Sequence, residues 1–361
     1  MMTEHPFLIN LSYLFSQPTG LATYANNLYP YLKSLDPTLL ISQSVPDFNC
    51  YPVPSDMTPA QGTKGNIKRL LWTQFQLAKI YQTTQASLLF SPIPEAPIYT
   101  ACRYIITVHD LIPLRFPQRK SLLTLYFKFS FPRLLAQAEH ILCNSQATAD
   151  DLKNYFGISA SKMTPTLLAY DQNHFYPYPN SDHSIPYFLY IGRPDPHKNL
   201  YRLITAFANL PNYQTYQLWI AGKSDPRYTP ILKQQVSELG ITEQVKFLDY
   251  VSYDALPKLL NNALALVFPS LWEGFGLPVL EAMACGTPVI TSNLSSLSEV
   301  SGNAALLINP YQTTEITDAM NQIATDEKVR SQLQTFGLQR AKQFSWSKTA
   351  QETIEVLSRY L

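Results

Sequence analysis

The fold of this chain is decided by the stretch FPSLWEGFGLPVLEAMACGTP, residues 268–288. It follows an apolar run, residues 263–268, that is typical of a buried parallel strand. The loop after it holds Gly274 and Gly276, and the segment LPVLEAMAC then has the composition of a helix with Pro278 in its first turn. A strand, a glycine-rich loop and a helix in this order point free backbone N–H groups toward an anion, and the glycines let that anion approach closely.

Two carboxylates flank this turn. Glu273 is in the loop, and Glu281 follows in the predicted helix. Acids on both sides of an anion site suit a ligand that carries hydroxyl groups as well as phosphates, and a nucleotide sugar is such a ligand. The alternative is an ordinary glycine-rich turn with a surface acid on each side.

Composition bounds the class of protein. The chain has 361 residues, 46% of them hydrophobic, and a net charge of +1, which excludes a strongly basic nucleic-acid-binding protein. No apolar run reaches the ~18–20 residues that a membrane-spanning helix needs, and the N-terminus does not resemble a secretion signal. The four cysteines show no metal-binding spacing. We therefore expect a cytoplasmic protein with reduced cysteines.

The rest of the chain alternates strand-like apolar runs with helix-like segments, and it does so twice. A proline- and serine-rich stretch, residues 177–186, separates the two halves. The pattern predicts the α/β class, with two doubly wound, Rossmann-like domains facing each other across a cleft. We expect these domains to cover residues 1–178 and 179–344, with the terminal helix, residues 345–361, packed back on the first.

Further candidate site residues lie where parallel strands are predicted to end. Gly20 lies between the first strand and the first helix, and His109 ends a later apolar strand. Gly192, Arg193 and Lys198 follow the first strand of the second half. The alternatives are a packing glycine, a structural histidine and solvated loop charges.

The two cations matter because breaking a sugar–phosphate bond leaves an extra negative charge on the departing diphosphate. One class of transferases stabilises that charge with a divalent metal held by an Asp-x-Asp triplet, and no such triplet occurs here. Arg193, Lys198 and a helix N-terminus would supply the positive field instead, so no metal ligand is predicted.

Two basic, aromatic segments, residues 64–81 and 115–135, are predicted to be helical. Their composition fits contact with an anionic membrane or a lipid-linked substrate. The alternative is that each helix packs on its domain and turns its basic residues to solvent.

The chain resembles family 4 retaining glycosyltransferases of the GT-B type. The resemblance runs nearly end to end, through PTGLATYANNL, VHDLIPL, YIGRPDPHKNLYRLITAF and LWEGFGLPVLEAMACGTPVITSN. The pairing of GRPDPHKN with EGFGLPVLEAMACGTPVI is specific to this family. VHDLIPLRFP looks most like the bacterial mannosyltransferases that build surface polysaccharides.

The resemblance implies that the first domain binds the acceptor and the second binds the nucleotide-sugar donor. It implies that Glu281 binds the ribose hydroxyls and that Glu273 holds the transferred sugar. Arg193 and Lys198 would neutralise the pyrophosphate, and His109 would contact the sugar or the acceptor. The predicted catalytic residues are His109, Arg193, Lys198 and Glu273, and the predicted donor-binding residues are Gly20, Gly192, Gly274, Phe275, Gly276, Leu277 and Glu281.

The predicted function is transfer of a hexose from a nucleotide sugar to a sugar hydroxyl of a glycan or lipid-linked acceptor, without a cofactor. Mannose is the favoured hexose, and the donor is expected to be GDP-mannose or a UDP-hexose. Alternatives are a glucosyltransferase with a small soluble acceptor, a non-catalytic nucleotide-sugar-binding protein of the same fold, and a membrane-surface scaffold. The predicted location is the cytoplasm, either free or in peripheral contact with an anionic membrane.

Overall fold

The structure, a computed structural model, describes residues 6–14, 20–117, 122–178 and 185–361. The chain folds into two compact units. The first contains the described residues up to Leu168 together with Trp346–Leu361, and the second is Ala169–Ser345. The boundary expected near residue 178 and the packing of the terminal helix on the first domain remain predictions.

The first unit is a seven-stranded parallel sheet with helices between its strands. Its strands are β1 (Phe7–Asn10), β2 (Pro37–Ile41), β3 (Asn49–Pro52), β4 (Leu88–Ser91), β5 (Tyr104–Val108), β6 (His140–Cys143) and β7 (Met163–Pro165). Its helices are α1 (Gly20–Leu28), α2 (Gly62–Trp72), α3 (Ala78–Thr83), α4 (Ile112–Arg115), α5 (Leu122–Phe129), α6 (Phe131–Gln137) and α7 (Gln146–Phe156). The strands lie in the order β3-β2-β1-β4-β5-β6-β7.

The second unit repeats this plan with six strands. They are β8 (Tyr187–Ile191), β9 (Gln217–Ala221), β10 (Val245–Asp249), β11 (Ala265–Phe268), β12 (Val289–Ser292) and β13 (Leu306–Ile308), in the order β10-β9-β8-β11-β12-β13. The helices are α8 (Leu200–Ala208), α9 (Thr229–Glu238), α10 (Leu256–Asn262), α11 (Leu277–Ala284), α12 (Ser295–Ser301), α13 (Thr313–Thr325) and α14 (Glu327–Ala341). The chain ends with α15 (Trp346–Ser358), which belongs to the first unit.

Both sheets are all parallel, and each has one point where the strand order reverses. In the first unit β1 pairs with β2 on one side and β4 on the other, and in the second β8 pairs with β9 and β11. Such a switch point leaves a crevice at the carboxyl ends of the two strands, where open α/β sheets bind ligands. The prediction of two doubly wound α/β domains is therefore confirmed, and the topology fixes where each unit can hold a site.

Three local features differ from the sequence prediction. Residues 49–52 form an edge strand on β2, although residues 51–62 are proline-rich and polar, a composition that predicts a loop. Pro52 is tolerated because an edge strand has an unpaired side. The helix over residues 62–83 contains a π-helical segment, Thr73–Leu77. Residues 115–135 are not one helix but belong to α4, α5 and α6, with residues 118–121 outside the described part.

Candidate functional site

The switch point of the second unit carries an ion pair between two loops. Lys198 lies in a short 3-10 turn after β8, and Glu273 lies in the loop after β11. The Lys198 ammonium donates to both carboxylate oxygens of Glu273, at 2.6 and 2.8 Å. Both side chains are largely buried, so solvent screens this pair much less than a surface ion pair. The ammonium also lies 5.5 Å from the ring centroid of Phe268 at the end of β11.

Asn199 links the loop that carries Lys198 to the neighbouring loops. Its buried side-chain amide donates to the carbonyls of Pro269 and Pro310, at 3.1 and 2.7 Å. The backbone N–H of Leu271 donates to the carbonyl of His197 at 2.7 Å. Because the loops after β8, β11 and β13 are tied together in this way, Lys198 meets Glu273 in a fixed geometry.

Two serines at the start of α12 fix the loop that precedes α11. Ser295 accepts a hydrogen bond from the N–H of Glu273, and Ser296 donates to the carbonyls of Glu273 and Phe275. Gly276 has a φ of +102°, and a Cβ there would lie 2.5 Å from a methyl group of Leu297. The position therefore requires glycine for its backbone angle and for space.

The turn leaves three consecutive amide groups available. Among the described residues, the N–H groups of Phe275, Gly276 and Leu277 have no hydrogen-bond acceptor. They lie at the N-terminus of α11, where the helix dipole also favours negative charge. This is the geometry that the sequence predicted for binding a phosphate group.

Glu281 lies one turn into α11, and its carboxylate is partly buried. The Glu281 carboxylate makes no hydrogen bond or ion pair with any residue that the structure describes. Burial raises the pKa of the Glu281 carboxyl to about 7, because desolvation disfavours the charged form. A carboxyl group without a protein partner can accept hydrogen bonds from the hydroxyls of a ligand, and those bonds would favour its ionised form.

Arg193 is placed differently from Lys198. Its side chain is 63% exposed and pairs with Asp195, two residues along the chain, at 3.3 Å. Gly192 before it has a φ of +151°, and its carbonyl would lie only 2.0 Å from a Cβ at Gly222. The ends of β8 and β9 are thus packed backbone against backbone, and Arg193 extends outward from that junction.

In the first unit, His109 follows β5, the neighbour of switch-point strand β4. Its Nε2 donates to the Pro92 carbonyl at 2.8 Å, because a carbonyl oxygen can only accept. Burial lowers the pKa of His109 to about 4, so at neutral pH the ring is neutral and Nδ1 carries a lone pair. Among the described residues, Nδ1 has no hydrogen-bond donor facing it. His109 can therefore accept a hydrogen bond from a ligand hydroxyl.

Gly20 is the exposed first residue of α1, and a Cβ there would have no atom of a described residue within 4 Å. One turn later, Tyr24 packs edge-on against His109, with ring centroids 4.9 Å apart. Asp110, next to His109, accepts a hydrogen bond from the N–H of Ile112 at the start of α4 and so has a structural role. The helix that Gly20 begins is thus fixed to the strand end that carries His109.

The structure thus joins some predicted residues directly and leaves others apart. It pairs Lys198 with Glu273, and the amides of residues 275–277 follow in the same loop. It pairs Arg193 with Asp195 rather than with either of them. Sequence reasoning missed Asn199, Ser295 and Ser296. Their side chains form hydrogen bonds with backbone groups of neighbouring loops. Their position between strand ends was the only available signal.

Chemically, the second unit offers a cation from the loop after β8, together with free amides and an unpartnered carboxyl group from the loop after β11 and helix α11. That set can bind a diphosphate and a diol together. No cluster of three or more His, Cys, Asp or Glu residues arranged to hold a metal ion occurs within the described ranges.

Comparison with known proteins identifies the family. The model for Glycosyltransferase Family 4 matches residues 18–165, and the model for Glycosyl transferases group 1 matches residues 177–340. The O-antigen chain mannosyltransferase B of Escherichia coli is 32% identical over 268 residues, which cover 70% of this chain and 69% of that protein. The chain belongs to the family 4 glycosyltransferases, and it is a glycosyltransferase.

Two further proteins are similar to this chain, one in sequence and one in structure. The O-antigen chain mannosyltransferase RfbU of Salmonella typhimurium is 34% identical over 60% of each chain. HepE of Anabaena, solved in complex with UDP-glucose, superposes with a TM-score of 0.73 over 98% of this chain and 99% of its own, at 18% identity. The structural likeness places the fold in the GT-B group.

Proposed function

We propose that this protein transfers mannose from a nucleotide sugar to a sugar hydroxyl of a growing polysaccharide or lipid-linked glycan, with retention of configuration. The observation that carries the proposal is the Lys198–Glu273 pair, which lies beside free amides at the switch point of the second unit. The mannose assignment is supported by the names of the two bacterial relatives, both O-antigen mannosyltransferases.

In this proposal the donor lies along α11. Glu281 accepts hydrogen bonds from the ribose hydroxyls, and the amides of Phe275, Gly276 and Leu277 bind the diphosphate. Lys198 stabilises the charge that develops on the leaving diphosphate. Glu273 orients Lys198, and its remaining lone pairs accept hydrogen bonds from the transferred sugar. Gly20, Gly192, Gly274 and Arg193 complete the proposed donor-binding and catalytic set.

The electrostatics of the site support these roles for Lys198 and Glu273. A neutral Lys198–Glu273 pair adds no net charge, but its ammonium can turn toward a diphosphate that carries more charge than one carboxylate. The stabilisation then grows as the sugar–phosphate bond breaks, which accelerates the chemical step rather than only tightening binding. No metal ion is required in this scheme, because the ammonium and the amides supply the positive field.

His109 is proposed to accept a hydrogen bond from a hydroxyl of the sugar or the acceptor through Nδ1. A neutral ring suits that role, since a charged imidazolium could only donate. Transfer is proposed to occur on the face of the sugar from which the diphosphate leaves, with the leaving phosphate deprotonating the acceptor. A cytoplasmic location is part of the same proposal.

The donor nucleotide is open between GDP and UDP, since HepE was solved with UDP-glucose. The test is thermal unfolding of the purified protein with GDP, UDP, ADP and their sugars. A ligand at 100 times its Kd adds ~2.7 kcal/mol to the free energy of unfolding. We expect GDP and GDP-mannose to stabilise most and to support release of GDP when an acceptor glycan is added, with activity that survives EDTA.

Three results would contradict the proposal. Stabilisation by UDP-glucose alone, with turnover on a small soluble acceptor, would make the protein a glucosyltransferase. Nucleotide binding without turnover on any glycan acceptor would make it a binding protein. Complete loss of activity in EDTA that Mn²⁺ restores would show that a metal ion is needed.

A further inference from the structure

The helix over residues 62–83 carries large apolar side chains on its outer surface. Ile67, Leu71 and Phe75 are 41%, 55% and 69% exposed. Residues four apart lie on the same side of a helix, so these three form a stripe. Phe75 lies in the π-helical segment, Thr73–Leu77, and is the most exposed of the three.

A second stripe lies on α5. Leu122, Leu125 and Phe129 are 54%, 48% and 59% exposed, and they are spaced three and four residues apart. Polar or charged side chains would be expected at such positions if these helices simply turned one face to water. Two helices of one unit thus share the same departure from that pattern.

The two stripes belong to one region of the first unit, because both helices pack on the loop after β4. The Gln74 side chain donates to the Ala96 carbonyl and accepts from the Ile98 N–H, at 2.9 and 3.0 Å. The Tyr126 hydroxyl donates to the Pro94 carbonyl at 2.7 Å. We call the six exposed side chains of residues 67, 71, 75, 122, 125 and 129 the two-helix surface.

Charge sets this region apart from the rest of the chain. Residues 62–83 and 122–137 contain six of the 27 basic residues and none of the 26 acidic residues. Asp56 and Glu95, from outside these segments, pair with Lys68 and Arg69. The other lysines of the two segments are exposed and make no ion pair with a described residue: Lys64, Lys79 and Lys128.

We propose that the two-helix surface docks this protein on an anionic lipid surface. The apolar side chains would enter the boundary between headgroups and acyl chains, and the unpaired lysines would contact the lipid phosphates. A second copy of the chain fits less well, since face-to-face association would bring the lysines of both copies together. No described helix is long and apolar enough to cross a membrane, so the proposed contact is peripheral.

The experiment is sedimentation of the whole protein with vesicles, in the absence of nucleotide. One set contains phosphatidylcholine alone, and the other contains phosphatidylcholine with phosphatidylglycerol. We expect binding to the anionic vesicles, reduced by salt. Each exposed lysine contributes about fivefold to the partition coefficient, so replacement of Lys64, Lys79 and Lys128 by Gln should lower it about a hundredfold.

The apolar contribution is tested separately. The double variant Leu71→Ser/Phe75→Ser should lower partitioning about tenfold or more. The matched control, Tyr201→Ser/Ile231→Ser, removes two equally exposed apolar side chains from the second unit and should change nothing. Circular dichroism checks folding, and the triple lysine variant still tests the proposal if the apolar variant unfolds.

Four results would overturn the proposal: equal binding to both vesicle types, no binding to either, unchanged binding of the triple lysine variant, or an equal loss in the control. A protein dimer that Leu71→Ser/Phe75→Ser dissociates would instead make the surface an interface between copies. None of these results depends on turnover. Failure here therefore leaves the proposed mannosyl transfer untouched, and GDP affinity should be the same in all these variants.

Discussion

The two units share one strand plan but differ in what lies at the reversal of strand order. At the second switch point, charged groups meet: Lys198 pairs with Glu273, and Glu281 follows one turn into the helix. At the first, the strand ends carry neutral groups, as in the hydrogen bonds of Asn10 with Ser12 and Ser91, and Glu95 in the loop after β4 is paired with Arg69. The topology therefore supplies the crevice, and the side chains decide whether it suits a charged diphosphate or a neutral sugar.

The two units also differ in the direction in which burial shifts the pKa of a site residue. Burial raises the pKa of Glu281 to about 7 and lowers that of His109 to about 4. Desolvation favours the neutral form of each group, and so moves an acid and a base in opposite directions. Variants of the two units should therefore differ in nucleotide binding, in turnover and in the sign of their pH dependence.

The largest effect is expected from Lys198→Ala. Removing one donor that stabilises developing charge typically lowers kcat by about 10²–10³. The change also leaves Glu273 buried without its partner, which costs about 3–5 kcal/mol in the free energy of unfolding. Steady-state release of nucleoside diphosphate and thermal unfolding measure the two effects.

The control for this variant is Lys198→Met/Glu273→Gln, which removes both charges. It should regain most of the lost stability but not the lost turnover. Arg193→Ala should lower kcat by less, since that side chain is exposed and screened by water. A kcat unchanged by Lys198→Ala in folded protein would disprove the charge-stabilising role.

Gly276 and Gly20 give a matched pair of backbone tests. Gly276→Ala combines a positive φ with a 2.5 Å contact to Leu297, and the two effects should lower the free energy of unfolding by about 2–4 kcal/mol. Gly20→Ala meets no atom within 4 Å in the described part of the chain and should be neutral, or stabilising by about 0.4–1 kcal/mol. Urea unfolding measures both. Equal destabilisation by the two changes would contradict the assigned backbone geometry.

Glu281→Ala should weaken the binding of nucleoside diphosphate and of the intact donor equally. The expected loss is ~1.5–3 kcal/mol, the range for a hydrogen bond to a charged group. His109→Ala, the first-unit counterpart, should leave nucleoside diphosphate affinity unchanged and lower turnover. Isothermal titration calorimetry with GDP compares the two variants, and unchanged affinity in folded Glu281→Ala would refute the ribose assignment.

A gradual effect is expected from the pH dependence of stability, and its sign differs between the units. The folded pKa of Glu281 is raised, so its contribution to stability is present below about pH 4.5 and is lost as pH rises through about 7. The folded pKa of His109 is depressed, so its contribution is present above about pH 6.5 and is lost as pH falls through about 4. Across its pH range, each group is expected to change the free energy of unfolding by about 1–3 kcal/mol.

Urea unfolding from pH 4 to pH 8 measures both slopes. Glu281→Gln should remove the loss toward neutral pH, and His109→Gln should remove part of the loss toward acid. His140, whose pKa burial also lowers to about 4, and His197, whose pKa burial lowers, keep part of the remaining loss toward acid. If the two variants gave parallel curves, the opposite titration of the two groups would be wrong.

Much of this fold could be predicted because each buried parallel strand is a short apolar run bounded by turn residues. The failures are local. Residues 49–52 resemble a loop because their strand lies at the sheet edge, and only its pairing with β2 shows it. The composition around helix α7 also offers Thr148 as a capping residue, but the Ser145 hydroxyl accepts from the Thr148 N–H and starts the helix earlier. Capping depends on backbone angles that composition does not contain.

The sequence by itself determined the class, the family and the position of the glycine-rich loop proposed to bind phosphate, because spacing within one segment sets local backbone geometry. Only the tertiary structure decided that Lys198 meets Glu273, 75 residues away, while Arg193 remains with Asp195. It also revealed the contributions of Asn199 and Ser296, whose side chains join loops from different strands. Contacts of this kind depend on which strands lie side by side. Ionisation is decided at the same level, since the pKa of Glu281 follows from the groups that exclude water around it.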